Sequence, residues 1–223
     1  MSLANIFLTE SRALVAVDTQ VRSALTGEIG EAAKMLLLPY PNAVLTIRGL
    51  NFILGSLALN SILHWPSTFD VLTKAIPQLL PQCLDILAAN SMALLGKPAH
   101  EAEAFNQEVG LVGFSEKKGR MCAYVFITHG SKAVHVEEIE PMLTWAAPWS
   151  DAWGDVIEAE TPALMRELAE VQVLRGKQLD STAPLGGKLL LCELTKDEAK
   201  FSSLGALHSA RSAEAEGEAD ASR

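Results

Sequence analysis

Hydrophobic and polar positions alternate in blocks rather than in one period along this chain. Residues 3–8 (LANIFL) and 13–18 (ALVAVD) are short runs of strand formers, separated by Thr9, Glu10 and Ser11. They predict two strands joined by a tight loop. Residues 20–33 are polar, carry Gly27 and Gly30, and predict a loop. Residues 34–38 (KMLLL), stopped by Pro39-Tyr40-Pro41, and 43–48 (AVLTIR), ending at Gly49, predict two more strands.

The pattern then becomes helical. Residues 50–63 are apolar on nearly every side, which predicts a buried helix. A helical stretch over 67–96 opens with Ser67 or Thr68 as N-cap and is expected to break at Pro77 and Pro81. Strands return at 109–115, 121–128 and 132–137. A tryptophan-rich loop follows at 141–155, and its Trp145, Trp149 and Trp153, spaced by four, suit an interface or core lid. Residues 161–178 read as the most amphipathic helix, with Thr161 as N-cap and Pro162 as first helical residue. A last strand is expected at 188–195.

Strands in runs, then helices in runs, are not the alternation of a parallel doubly wound sheet. The order predicts an α+β fold: two antiparallel sheets packed together with helices outside, a four-layer αββα sandwich. One domain is expected over 1–208. Residues 209–223 are acidic, alanine-rich and poor in apolar bulk, and are expected to form a disordered tail.

Composition narrows the function classes. The chain has 223 residues, of which 49% are hydrophobic and only 6% aromatic, so Leu, Ala, Val and Ile must build the core. A net charge of −9, with no basic run longer than Lys117-Lys118, excludes a general nucleic-acid binder. Both apolar stretches, 49–65 and 75–96, are interrupted by polar residues or prolines, and no membrane span is expected. The N-terminus lacks a basic region followed by an apolar stretch, so no signal peptide is expected. Three widely spaced cysteines (Cys83, Cys122, Cys192) predict free thiols in a reducing, cytoplasmic setting. The five histidines show no ligand spacing, and neither metal nor other cofactor is expected. Ser115 heads a charged turn and lacks the glycines of a nucleophile elbow.

Three passages in order, SRALVAVDTQ at 11–20, KMLLLPYPNAVLTIRG at 34–49 and LVGFSEKKGRMCAYVF at 111–126, resemble the proteasome β-subunit and HslV-like family of N-terminal-nucleophile hydrolases. GGKLLLCELTKD at 186–197 is similar to that family's closing segment. The resemblance implies an N-terminal Ser, Thr or Cys whose own α-amine is its base. Such an amine titrates at about 8, suited to accept a proton at neutral pH. An Asp ending the second strand and a Lys opening the third would support it.

Carried over, the nucleophile is Ser2 after removal of Met1, and the supporting pair is Asp18 and Lys34, each step spanning sixteen residues. A three-residue loop at Thr9–Ser11 would place Ser2 opposite Asp18. A two-residue loop would place Leu3 there instead. The oxyanion donor falls at Gly49. Arg48 beside it would bring charge to the cleft and suit an acidic substrate. Asp180 is the candidate for a further supporting carboxylate. Leu3 and Leu185 stand where the family has hydroxyl residues.

The resemblance thus implies a subunit that cleaves peptide or amide bonds and self-associates into a ring or other homo-oligomer. The alternative is a catalytically silent structural or interaction subunit of the same fold.

Overall fold

The computed structural model describes residues 2–64, 68–100, 104–142, 144–147, 158–180 and 182–207. The expected tail at 209–223, and Trp149 and Trp153, lie outside the described residues.

Strands β1 (Ala4–Leu8) and β2 (Arg12–Asp18) form an antiparallel hairpin. Thr9 N–H donates to Arg12 O at 2.7 Å, and Arg12 N–H donates to the Thr9 hydroxyl at 3.1 Å. The loop is therefore the two residues Glu10 and Ser11. Leu8 pairs with Ala13 and Ala4 with Val17. This corrects the three-residue alternative: continuing the register sets Leu3, not Ser2, opposite Asp18. Sequence alternation could not decide it, because both faces of the hairpin are buried and apolar.

The next segment corrects a second expectation. Residues 20–33 are not plain loop: β3 (Gln20–Arg22) and β4 (Ile29–Glu31) pair as a small separate hairpin. β5 (Met35–Leu38) and β6 (Ala43–Arg48) follow as expected. Helix α1 (Asn51–His64) is less enclosed than its composition implied, since Leu59 is 58% exposed.

Helix α2 (Phe69–Ala89) runs unbroken through Pro77 and Pro81. Each proline removes one helical N–H donor. The flanking Leu72, Ile76, Leu79, Leu80, Cys83 and Leu84 are buried, and that burial outweighs two lost bonds. The interruption comes instead at Asn90, before the short α3 (Ser91–Leu95).

Strands β7 (Gln107–Ser115), β8 (Arg120–Thr128) and β9 (Val134–Ile139) form a meander. The expected tryptophan-rich loop contains β10 (Thr144–Ala147), which pairs with β1, setting Trp145 opposite Ile6. Helix α4 (Pro162–Leu179) starts as expected, the Thr161 hydroxyl accepting Leu164 N–H at 3.2 Å. After β11 (Gly187–Thr195) comes a further strand, β12 (Ala199–Leu207), so 188–195 is not the last.

The strands form two five-stranded sheets, ordered β10-β1-β2-β11-β12 and β5-β6-β7-β8-β9. The fold is α+β, with the sheets face to face and flanked by helices. One core layer lies between the sheets, with Ile6, Val15, Val17, Val44, Val112 and Cys192. α1 and α2 cover the outside of the second sheet, through Leu45, Ile53, Ile76 and Phe126. α4 covers the outside of the first, through Leu3, Phe7, Met165 and Leu191. Asn5 and Gln172 exchange two buried amide hydrogen bonds, at 2.7 and 2.9 Å, which fix β1 against α4. These bonds hold β1 at Asn5, three residues after Ser2.

Candidate functional site

Asp18 ends β2 with no exposed surface. Its Oδ1 accepts Leu3 N–H at 2.8 Å and the Lys34 ammonium at 2.7 Å. Its Oδ2 accepts Gly186 N–H at 3.1 Å. Lys34, 1% exposed, also donates to Gln20 O at 2.5 Å. Its backbone is clamped to β6: Lys34 O accepts Ile47 N–H and the Thr46 hydroxyl, both at 3.0 Å. The pair thus ties the first sheet to the second at one end of the sandwich.

Burial pushes the Asp18 carboxyl up and the Lys34 amine down, and each group opposes the shift of the other. A lysine held below its ordinary value beside a reaction centre can share a proton or stabilise nearby negative charge.

Ser2, 9% exposed, lines a cleft of about 720 Å³. The peptide that follows it is the one whose N–H binds Asp18. Gly49 lines the same cleft, just before α1, where unpaired helical N–H groups favour negative charge. One wall is apolar, with Leu50, Phe52, Leu87, Leu94 and Leu95. The rim carries Arg22, Glu28 and Asp180. A site of this size with few convergent polar groups suits a small molecule or an extended peptide side chain.

The structure therefore sets the Asp18–Lys34 pair one residue from Ser2, through the Leu3 amide, while Ser2 and Gly49 line one cleft, although the β1–β2 register differs from the three-residue alternative. In this register Leu3 stands opposite Asp18, and its N–H is the one that the carboxylate accepts. Arg48 is not at the cleft. It pairs with Glu108, opposite it on β7, at 2.6 Å. The cross-strand carboxylate of Glu108 takes up the Arg48 charge.

Asp180 lies on the rim at the C-cap of α4, where it accepts the Thr182 N–H and hydroxyl, both at 2.8 Å. These bonds hold its carboxyl below the ordinary range. Arg22 reaches across from the small hairpin to donate to Thr182 O at 2.5 Å. Sequence reasoning missed Arg22, Glu28 and the Leu94-Leu95 wall. Only the unrecognised β3–β4 hairpin and the halt at Asn90 bring them to Ser2. Among the described residues, no group of three or more His, Cys, Asp or Glu could hold a metal ion.

No family model matches the chain. No curated protein matches it either. Among solved structures it is similar to a mutant of Anbu from Hyphomicrobium sp. strain MC1, with a TM-score of 0.64 and 13% identity, over 99% of this chain and 96% of the other. It is also similar to Anbu from Yersinia bercovieri, described as an ancestral β-subunit, with a TM-score of 0.60 and 12% identity, over 99% and 95%. These findings correct the sequence resemblance to the proteasome β-subunit and HslV-like family. The matched structures are Anbu, and the likeness is one of fold. The chain shares the Anbu fold, an α+β sandwich of two antiparallel sheets flanked by helices.

Proposed function

We propose that this protein is an N-terminal serine amidohydrolase or peptidase with Ser2 as nucleophile once Met1 is removed. The observation that carries this is the buried Lys34–Asp18 pair bound to the Leu3 amide, one residue from Ser2.

In the proposed reaction Ser2 Oγ attacks the substrate carbonyl carbon and its proton passes to the Ser2 α-amine. The carbonyl oxygen becomes an oxyanion that accepts the Gly49 N–H. The C–N bond then breaks, and the ammonium returns the proton to the leaving nitrogen. Water attacks the resulting ester, giving its proton to the amine, and Ser2 Oγ leaves and recovers that proton. Lys34, fixed by Asp18, disfavours a second cation nearby and so keeps the amine neutral. The apolar wall points to substrates with a bulky aliphatic or aromatic side chain on the acyl side.

Self-association belongs to the same proposal. Leu59, Ile86 and Met92 are 58%, 49% and 64% exposed on α1, α2 and α3, which suits a second copy packing there. Among the described residues no helix is long and apolar enough to cross a membrane.

The test combines intact mass with a peptide epoxyketone or β-lactone probe. Loss of Met1, with labelling abolished in Ser2→Ala, is the expected result. Retained Met1 excludes the mechanism. A Met1-free protein that stays unlabelled is instead the silent subunit.

A further inference from the structure

Gln107 opens β7 and is 1% exposed. It is fifty-seven residues from Leu50 in sequence, yet its Oε1 accepts Leu50 N–H at 2.9 Å. Its Nε2 donates to Ala104 O at 2.8 Å, so the amide is oriented from both ends. Its backbone N–H donates to the Thr128 hydroxyl at 3.2 Å, which anchors it to β8. Leu50 N–H is among the donors at the start of α1 that the helix itself leaves unpaired. A side chain from another strand supplies the partner.

The same amide presses on Gly49. A Cβ at Gly49 would lie 2.1 Å from Gln107 Oε1, and Gly49 has φ +151°, which side-chain-bearing residues rarely adopt. Arg48, on the other side, is held by ladder pairing with Glu108 and by their ion pair. Both peptides flanking the Gly49 Cα are thus fixed, one by β6–β7 pairing and one by Gln107.

We infer that Gln107 is a positioning residue for Gly49: by fixing the Gly49–Leu50 peptide, the neighbour of the peptide that carries the Gly49 N–H, it keeps the turn from rotating about the Gly49 Cα and so holds that donor in place at the cleft Gly49 lines. The inference rests on the Ser2 reading. Gln107 does not line the cleft or touch a substrate. It acts through Gly49 and Leu50, so its loss affects the rate of acylation and leaves ground-state binding alone.

The experiment measures inactivation by a β-lactone probe, resolved into the maximal rate and the half-saturating concentration, for wild type, Gln107→Met and Gln107→Glu. Gln107→Met removes the acceptor at nearly constant volume. Gln107→Glu keeps an acceptor at the same place. The expected result is a maximal rate lowered roughly 10- to 100-fold in Gln107→Met, below the effect of deleting an oxyanion donor outright. The half-saturating concentration stays within about twofold, and Gln107→Glu recovers at least about a third of the wild-type rate. If Gln107→Met does not fold, Gln107→Asn, which withdraws the amide by one methylene, carries the same expectation. A folded variant labelled at the wild-type rate, or one altered only in half-saturation, overturns the inference while leaving Ser2 as nucleophile. A Met1-free wild type that is never labelled overturns both.

Discussion

Lys34 Nζ lies 2.7 Å from Asp18 Oδ1, both side chains within 1% of complete burial, and the bond joins two sheets that share no strand. Its geometry is completed by the Leu3 and Gly186 amides. Removing either partner leaves an uncompensated buried charge. Lys34→Met and Asp18→Asn are each expected to cost roughly 3–5 kcal/mol. The double variant is expected to cost less than the sum, because neither charge is then orphaned. A double-mutant cycle by urea unfolding checks this, and strict additivity would show that the two groups do not depend on each other.

Gly49→Ala is expected to destabilise by roughly 1–3 kcal/mol, since it forces a side chain into a disfavoured φ and against Gln107. Gly30→Ala is the control: it has open space around its missing Cβ and no positive φ. Equal midpoints for the two variants in urea would contradict this account of the turn.

Cys192 is wholly buried between the sheets, and burial, with Glu193 adding a smaller push, raises its thiol to about 12. Its unfolded value is near 9.0. The raised folded value means that stability from the neutral thiol is complete below pH 9 and is lost between about 9 and 12. There the unfolded chain releases a proton that the folded chain keeps. The slope contributed is up to about 1.4 kcal/mol per pH unit. Cys192→Ala should flatten the alkaline slope of stability against pH relative to wild type. Parallel slopes would refute the assignment.

Phe52 is half-buried in the apolar wall of the cleft. Under the proposed activity, Phe52→Ala is expected to raise KM about tenfold for an acyl-side Leu or Phe substrate and leave an Ala substrate nearly unchanged. This corresponds to losing one apolar contact of about 1.5 kcal/mol. Steady-state kinetics on the two substrates decides it; an equal effect on both would move the binding site elsewhere.

The number and order of most elements are legible in the chain because each long element carries its own local signal. The run 13–18, the Thr161-Pro162 helix start and the hairpin of β7 and β8 all follow from nearby residues. β10 and β12 were not legible. TWAA is held by pairing with β1, and AKFSSLGAL is a mainly exposed edge strand held by β11, so neither has a strong pattern of its own. α2 passes its prolines for a similar reason: propensity is local, while the burial that overrides it comes from the sheet beneath.

By itself, then, the sequence determined the α+β class, the packing of two antiparallel sheets with helices outside, and the sixteen-residue spacing of Ser2, Asp18 and Lys34. Only the tertiary structure decided the β1–β2 register, the capture of Arg48 by Glu108, the cleft walls and the hold of Gln107 on Leu50. The physical reason is range. Strand and helix propensities act over a few residues. The hydrogen bonds that join Lys34 to Asp18, Asp18 to the Leu3 amide and Gln107 to the Leu50 amide connect residues that meet only after both sheets have packed.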